Sequence, residues 1–299
     1  MPNLRDIKKR IESTSSTRQI TRTMEMVSTA KIRKAQEAIE SARPYALSMM
    51  EVLGNVALFV SGASHPLLEK HGKFERIVVI PVTSDRGLAG AFNSNILRMA
   101  EASIAEAREK GAEVDIVAVG KKAVNYFKYR EMTPIASFRG ISEKPTFADA
   151  RAIAHEVIGR YGSGEIDAVT ILFNRFKNVA EQKPEIHQLL PIERTTLDDA
   201  GAGVTAGGGI PPEYSFEPDA ETVLDRLLPT YVETLVYRAL MESAASEQGA
   251  RRTAMKSATD NATDMIATYT RIYNRARQAS ITNEIAEIVG GAAALEDAS

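Results

Sequence analysis

The stretch "RIVVIPVTSDRGLAGAFNSN" at residues 76–95 decides how the middle of the chain folds. After Arg76, the next six residues are apolar and largely β-branched, which predicts a buried strand. A glycine-bearing turn follows at 83–90, and a helical pattern begins near residue 91. Many proteins hold a phosphate at such a strand-to-helix turn, so the first question is whether this turn binds a nucleotide.

Two more apolar runs, "VDIVAVG" (114–120) and "IDAVTILFN" (166–174), also predict buried strands. Helical patterns lie at 91–110, 121–130 and 146–162. Alternating strands and helices favour a parallel sheet with helices on both faces, so we expect a Rossmann-like α/β domain over residues 74–195. "KPEIHQLLPI" (183–192) predicts a further strand at the edge of that sheet.

The chemistry of the turn argues against a nucleotide. Gly87 and Gly90 give G-x-x-G rather than G-x-G-x-x-G, and no G-K-[ST] follows. Asp85 puts a carboxylate where a phosphate would sit, and we expect it instead to accept backbone N–H groups at a helix start. Arg86 is the only cationic residue in the turn at 83–90. The four residues therefore predict a structural turn, with nucleotide binding as the minor alternative.

Other catalytic and cofactor patterns are missing from the sequence. The chain has no Cys, which excludes disulfides and thiolate chemistry, and its four His are scattered without metal-ligand spacing. There is no G-x-S-x-G elbow and no apolar run of about 20 residues. We expect no active site, no cofactor, no metal and no membrane span, so any membrane role would come through a partner.

Both ends of the chain predict long helices. Between residues 4 and 59, apolar and small residues recur in three sets at steps of three and four, the set from Ile20 being out of phase with the first, and Pro44 is a possible kink. They are Leu4, Ile7, Ile11, Ile20, Met24, Val27, Ala35, Ala38, Ala42, Tyr45, Met49, Val52, Val56 and Phe59. From about residue 219 a second helix follows, with Pro229 as a kink or restart. Its spaced positions are Met255, Ala258, Ala262, Ile266, Tyr269, Tyr273 and Ala276, and then, in a shifted phase, Ile281, Ile285, Ile288 and Ala292.

On each helix the spaced positions form a long stripe, here called the seam. A helix with such a seam needs a partner helix. We expect segments 1–60 and 218–299 to form a long antiparallel coiled coil, joined to the α/β domain by a flexible, Gly- and Pro-rich linker at 196–217. The alternative is two helices packed separately on the central domain. Residues 1–43 hold ten Lys and Arg against five Asp and Glu. That excess could serve nucleic acid, an acidic membrane or an acidic protein, or could simply be solvated.

Four segments closely resemble the gamma subunit of bacterial F-type ATP synthase. They are "ITRTMEMVSTAKIRKAQ" (20–36), "TSDRGLAGAFN" (83–93), "SEQGARRTAMK" (246–256) and the segment 258–295. The resemblance implies that the paired helices form a shaft that rotates inside a hexamer of alpha and beta subunits. It implies ATP synthesis on beta, further contacts with the epsilon subunit and the c-ring, and a peripheral position on the cytoplasmic face of the inner membrane.

The same resemblance implies which residues contact the partners. Met24 would face the region of Arg251 and Gln278, which pair with the catch loops of beta, and Arg277 and Thr282 lie on the same motif. Plain core packing remains the alternative for Met24, and a solvated helix face for Arg251 and Gln278. A coiled-coil scaffold or a nucleic-acid-binding protein is the alternative function. The net charge of −2 and the aromatic-poor ends argue against binding single strands.

Overall fold

The computed structural model describes residues 3–59, 65–72, 74–193, 217 and 219–297. Its two long helices are α1 (Leu4–Phe59) and, at the other end of the chain, Ala220–Asp297, here α5. Both agree with the sequence prediction, and each continues through its internal proline, Pro44 or Pro229. The predicted linker at 196–217 lies outside the described residues except for its last position.

The central sheet has five strands in the order β3-β2-β1-β4-β5. They are β1 (Arg76–Pro81), β2 (Glu113–Val119), β3 (Ala136–Phe138), β4 (Ala168–Phe176) and β5 (Gln182–Leu190). The first four are mutually parallel and β5 runs antiparallel to β4 at the edge, where the sequence predicted a strand. The sequence did not predict β3, because three partly exposed residues carry no clear apolar pattern.

The helices α2 (Phe92–Glu109), α3 (Lys121–Tyr129) and α4 (Phe147–Gly162) connect these strands, each within one or two residues of its predicted bounds. Successive side chains of a strand point to opposite faces, so Val79 packs with α2 and α3 while Val78 and Ile80 pack with α4. Parts of α1 and α5 share this second apolar layer, through Leu53 and Leu228 among others. Apolar layers on both faces are what the sequence predicted.

The chain divides into two compact units. The end unit comprises Met1–Val27 and Arg252–Ser299, and the sheet unit comprises Ser28–Arg251. Within the end unit the first part of α1 pairs with the last part of α5. The hydroxyl oxygens of Thr21 and Thr259 lie 2.7 Å apart. The predicted seam of α5 is confirmed in its first part, because Met255 and Ala262 are buried and Ile266 is half-buried. Its shifted continuation is wrong, because Ile281, Ile285, Ile288 and Ala292 are exposed.

The predicted seam of α1 is wrong in its middle. Ile20 and Val27 are 60% and 48% exposed, whereas Thr21 and Ser28, one position further on, are buried. Burial follows a heptad, as the inward positions step by four and three from Ile7 and reach the buried Ile32. They are Ile7, Ile11, Thr14, Arg18, Thr21, Glu25, Ser28 and Ile32. Tyr45 and Val52, also assigned to the seam, are exposed too.

Candidate functional site

The turn after β1 is fixed by side chains on both of its sides. Thr83 and Ser84 are fully buried where β1 ends. The Thr83 hydroxyl donates to the Val119 carbonyl (2.9 Å) and accepts from the Ala123 N–H (2.9 Å), which ties the turn to β2 and α3. The Ser84 N–H donates to Asn93 Oδ1 (2.9 Å), which ties the turn to α2. The turn therefore has little freedom to open.

Gly120, which sequence analysis did not single out, makes this arrangement possible. It precedes α3 with a φ of +88°, in the region that favours glycine. A Cβ at this position would lie 2.1 Å from the Thr83 carbonyl oxygen, closer than any non-bonded contact allows. The signal in the sequence is the glycine that ends the apolar run "VDIVAVG".

Asp85 accepts the backbone N–H groups of two other segments. Its Oδ1 accepts from Lys121 N at the start of α3 (2.9 Å), and its Oδ2 accepts from Ser142 N (3.1 Å). Its own N–H donates to Ser142 Oγ (3.0 Å). Burial acts to raise the pKa of Asp85, but these hydrogen bonds and one from Gly140 N–H outweigh it and hold the pKa below its usual value. A carboxylate thus occupies the helix start where an anionic ligand would bind.

The other helix near the turn is not capped in this way. The turn leads directly into α2, whose N-cap residue, Ala91, makes no side-chain capping bond. Within the turn, Leu88 has a φ of 62° and is largely exposed, and Gly90 has a φ of 55°. A leucine in the left-handed region is strained, so the hydrogen bonds around the turn must hold it there.

Arg251, on α5, reaches the same turn. It is 8% exposed and donates to the Gly87 carbonyl (3.1 Å) and to Glu247 Oε1 (2.7 Å). Burial raises the pKa of Glu247 above its usual value, and the nearby Arg251 charge and hydrogen bonds offset only part of that rise. In this chain Arg251 does not lie on a solvated helix face, since its guanidinium already has two acceptors.

A second ionic contact lies beside the first. Glu143, in the loop between β3 and α4, accepts a hydrogen bond from Lys31 of α1 and pairs with Arg86 of the turn at 3.5 Å. The hydrogen bond from Lys31 lowers the pKa of Glu143 most. Burial opposes that effect, while the charges of Lys31, Arg86 and Arg251 lower the pKa further. Segments from four parts of the sequence therefore meet around this turn.

The structure brings only some of the predicted residues together. Asp85, Arg86 and Gly87 lie in the turn that Arg251 contacts. Met24 belongs to the end unit and is half-buried beside the heptad positions of α1. Three further residues of the end unit, Arg277, Gln278 and Thr282, are exposed on α5, where the Thr282 hydroxyl donates to the Gln278 carbonyl (2.9 Å).

Metal binding and membrane insertion find no support in the described part of the chain. Among the described residues, no group of three or more His, Cys, Asp or Glu could hold a metal ion. No helix in the described ranges combines the length and the apolar character needed to cross a bilayer. The polar cluster around the turn joins segments of the chain to one another rather than presenting an open set of ligands.

Comparison with known proteins gives a match over nearly the full length. A family model described as ATP synthase matches residues 3–295. The chain is similar to the ATP synthase gamma chain of Desulforamulus reducens, with 49% identity over 296 residues that cover 99% of this chain and 100% of the relative. It is also similar to the ATP synthase gamma chain of Pelotomaculum thermopropionicum, with 46% identity over 296 residues and the same coverage.

Solved structures agree at the level of the fold. A chain of the Tetrahymena thermophila mitochondrial ATP synthase central stalk and c-ring is 27% identical with a TM-score of 0.59, covering 80% of this chain and 99% of that one. A chain of the Euglena gracilis mitochondrial ATP synthase is 21% identical with a TM-score of 0.64, covering 98% and 94%. At 21% identity the second likeness concerns the fold alone.

Proposed function

This chain belongs to the family of ATP synthase gamma chains, and from that membership we propose that it works as the central-stalk rotor of an F-type ATP synthase. It rotates inside the hexamer of alpha and beta subunits and so couples proton flow through the membrane c-ring to ATP synthesis on beta. The observation that carries this proposal is the family match over residues 3–295, together with a relative that is 49% identical along its whole length.

The chain itself is non-catalytic in this proposal. The turn after β1 is the place where a Rossmann-like sheet would hold a phosphate. There the Asp85 carboxylate accepts the Lys121 N–H, and the Gly87 carbonyl accepts from Arg251. A nucleotide phosphate would have to displace a carboxylate and would meet its charge. These contacts support a structural role for the turn.

The partners in this proposal are the alpha and beta subunits, the epsilon subunit and the c-ring, with the complex peripheral on the cytoplasmic face of the bacterial inner membrane. Segments 1–60 and 218–299 form the shaft, residues 74–195 the body, and 196–217 the linker. Exposed apolar side chains near the end of α5, at Ile281, Ile285 and Ile288, support burial of this tip by a surrounding ring.

Five residues of the shaft are proposed to contact the beta subunits: Met24, Arg251, Arg277, Gln278 and Thr282. Exposure of the last three leaves them accessible to a partner. Arg251 already donates to Gly87 and Glu247, so any contact with a catch loop uses its remaining N–H groups or exchanges an existing bond. The comparisons give no support to a scaffold or a nucleic-acid-binding protein.

The test is purification of the tagged chain from membranes of its source organism. We expect ATP-hydrolysing subunits to co-purify with it, and membranes depleted of the chain to lose ATP-driven proton pumping. The chain alone should show no saturable ATP binding at micromolar concentrations. Isolation of the chain without ATP-hydrolysing subunits would contradict the rotor function, and micromolar ATP binding would contradict its non-catalytic role.

A further inference from the structure

The contact between Lys31 and Glu143 joins α1 to a loop of the sheet unit. Glu143 bonds Lys31 through one carboxylate oxygen and faces Arg86 through the other. Its neighbour in sequence, Ser142, exchanges two hydrogen bonds with Asp85. Because these bonds fix the loop against the turn, they set the position of Glu143 independently of its contact with Lys31.

In the neighbouring part of α1, beyond Ile32, the described side chains are only partly buried or are exposed. Ile32 is buried next to Lys31, and the next fully buried residue along the helix is Leu53. No described side chain between these two is fully buried. At about 1.5 Å per residue this interval is roughly 30 Å long. This interval of α1 is therefore held most firmly at its two ends, near Lys31 and near Leu53.

The two anchors differ in their chemistry. Leu53 and Val56 are held by apolar packing, which is non-directional and tolerates small rotations of a helix about its axis. The contact at Lys31 is a charge-assisted hydrogen bond, which is stronger than a neutral one and is lost when the two groups move apart. The charged contact therefore adds a restraint on rotation of the helix relative to the sheet that apolar packing does not supply.

On the basis of the rotor function proposed above, we propose that Glu143 is a positioning residue for rotary coupling. It fastens α1 at Lys31 to the fixed loop and turn of the sheet unit, so that the sheet and the helix turn as one body. From Lys31 the helix continues without interruption to Leu4, and torque applied to the sheet passes along it. Loss of the contact lets part of each rotation be absorbed by slippage of α1.

The test measures proton pumping and ATP hydrolysis on the same membranes for the assembled complex. We expect Glu143→Gln and Lys31→Met each to lower the ratio of pumping to hydrolysis by about twofold or more, within the range open to a partly exposed ion pair. The double variant should lower the ratio no further than Glu143→Gln alone, because both changes remove the same contact between Lys31 and Glu143. The matched control is Glu106→Gln, which breaks the exposed pair with Lys110 at the C-terminal end of α2 and should leave the ratio unchanged.

An unchanged ratio in an intact complex, or effects that multiply in the double variant, would overturn the proposal. If Glu143→Gln does not assemble, Lys31→Arg takes its place, because it keeps the cation. It must then retain the normal ratio while Lys31→Met loses it, and equal ratios would overturn the proposal. Failure of the unmodified chain to co-purify with ATP-hydrolysing subunits concerns the rotor function instead.

Discussion

Single residues at the end of β1 show which side-chain types the turn permits. Gly120 leaves no space for a Cβ because the Thr83 carbonyl occupies it. Asp85 must accept hydrogen bonds from Lys121 N and Ser142 N with separate oxygens, which a carboxylate does and an amide does not. The sequence predicted that Asp85 and the two glycines serve structure. It did not reveal Gly120, because the clash involves a residue 37 positions away.

We expect Gly120→Ala to destabilise the chain by roughly 3 kcal/mol or more, since the added methyl group forces β1 and β2 apart and the backbone keeps a positive φ. Gly140 is the matched control. Its φ is +79° but no atom lies within 4 Å of its Cβ position, so Gly140→Ala should cost only about 1–2 kcal/mol. Denaturant unfolding of the two variants measures the difference, and equal losses would contradict the close contact.

The long helices show what sequence periodicity can and cannot predict at the scale of an element. Their type and bounds followed from apolar spacing, as did the seam of α5 through Met255 and Ala262. On α1 the apolar residues Ile20 and Val27 misled the prediction, because the hydroxyl-bearing Thr21, which meets Thr259 of α5, and Ser28 are buried instead. Tertiary pairing selects the inward face, and a polar seam has no apolar signal to reveal it.

Ile266→Asp should lower the stability of the paired helices by about 2 kcal/mol, because a half-buried seam position would then hold an unpaired carboxylate. Ile281→Asp makes the same change on the same helix at an exposed position, so it has the same cost in helix propensity without the burial. Circular dichroism melting of the two variants separates the cost of burying the carboxylate from the cost in helix propensity. Equal melting temperatures would show that Ile266 does not face a partner helix.

At the scale of the whole molecule, the order of elements and the family were accessible from the sequence, whereas the ionic contacts around the turn were not. Arg251, Glu143 and Lys31 come from distant parts of the chain, and only the fold brings their partners within reach. Charge patterns along a sequence do not predict which charged residues will be in contact in the fold. The contacts of the shaft with beta subunits stay predictions for the same reason.

Met24→Lys should weaken coupling more than assembly. Lysine keeps the helix propensity, and an ammonium at this position repels neighbouring cations or captures a carboxylate of the surrounding ring, adding up to a few kcal/mol that varies with rotor angle. Membranes should still hydrolyse ATP but pump fewer protons per ATP. Met26→Lys, at an exposed position two residues away, is the control. If both variants keep the normal ratio in intact complexes, Met24 only packs in the core.

The hydrogen bond between Thr21 and Thr259 bears on how the paired helices resist longitudinal shear. Apolar side chains along a seam exchange one neighbour for another at small cost, so they permit sliding. A shift by one helical turn, about 5.4 Å, would separate the two hydroxyl groups and leave buried Thr21 with only its bond to the Arg18 carbonyl of its own helix. This polar pair thus favours the observed alignment of the two helices, to which they return after load is removed.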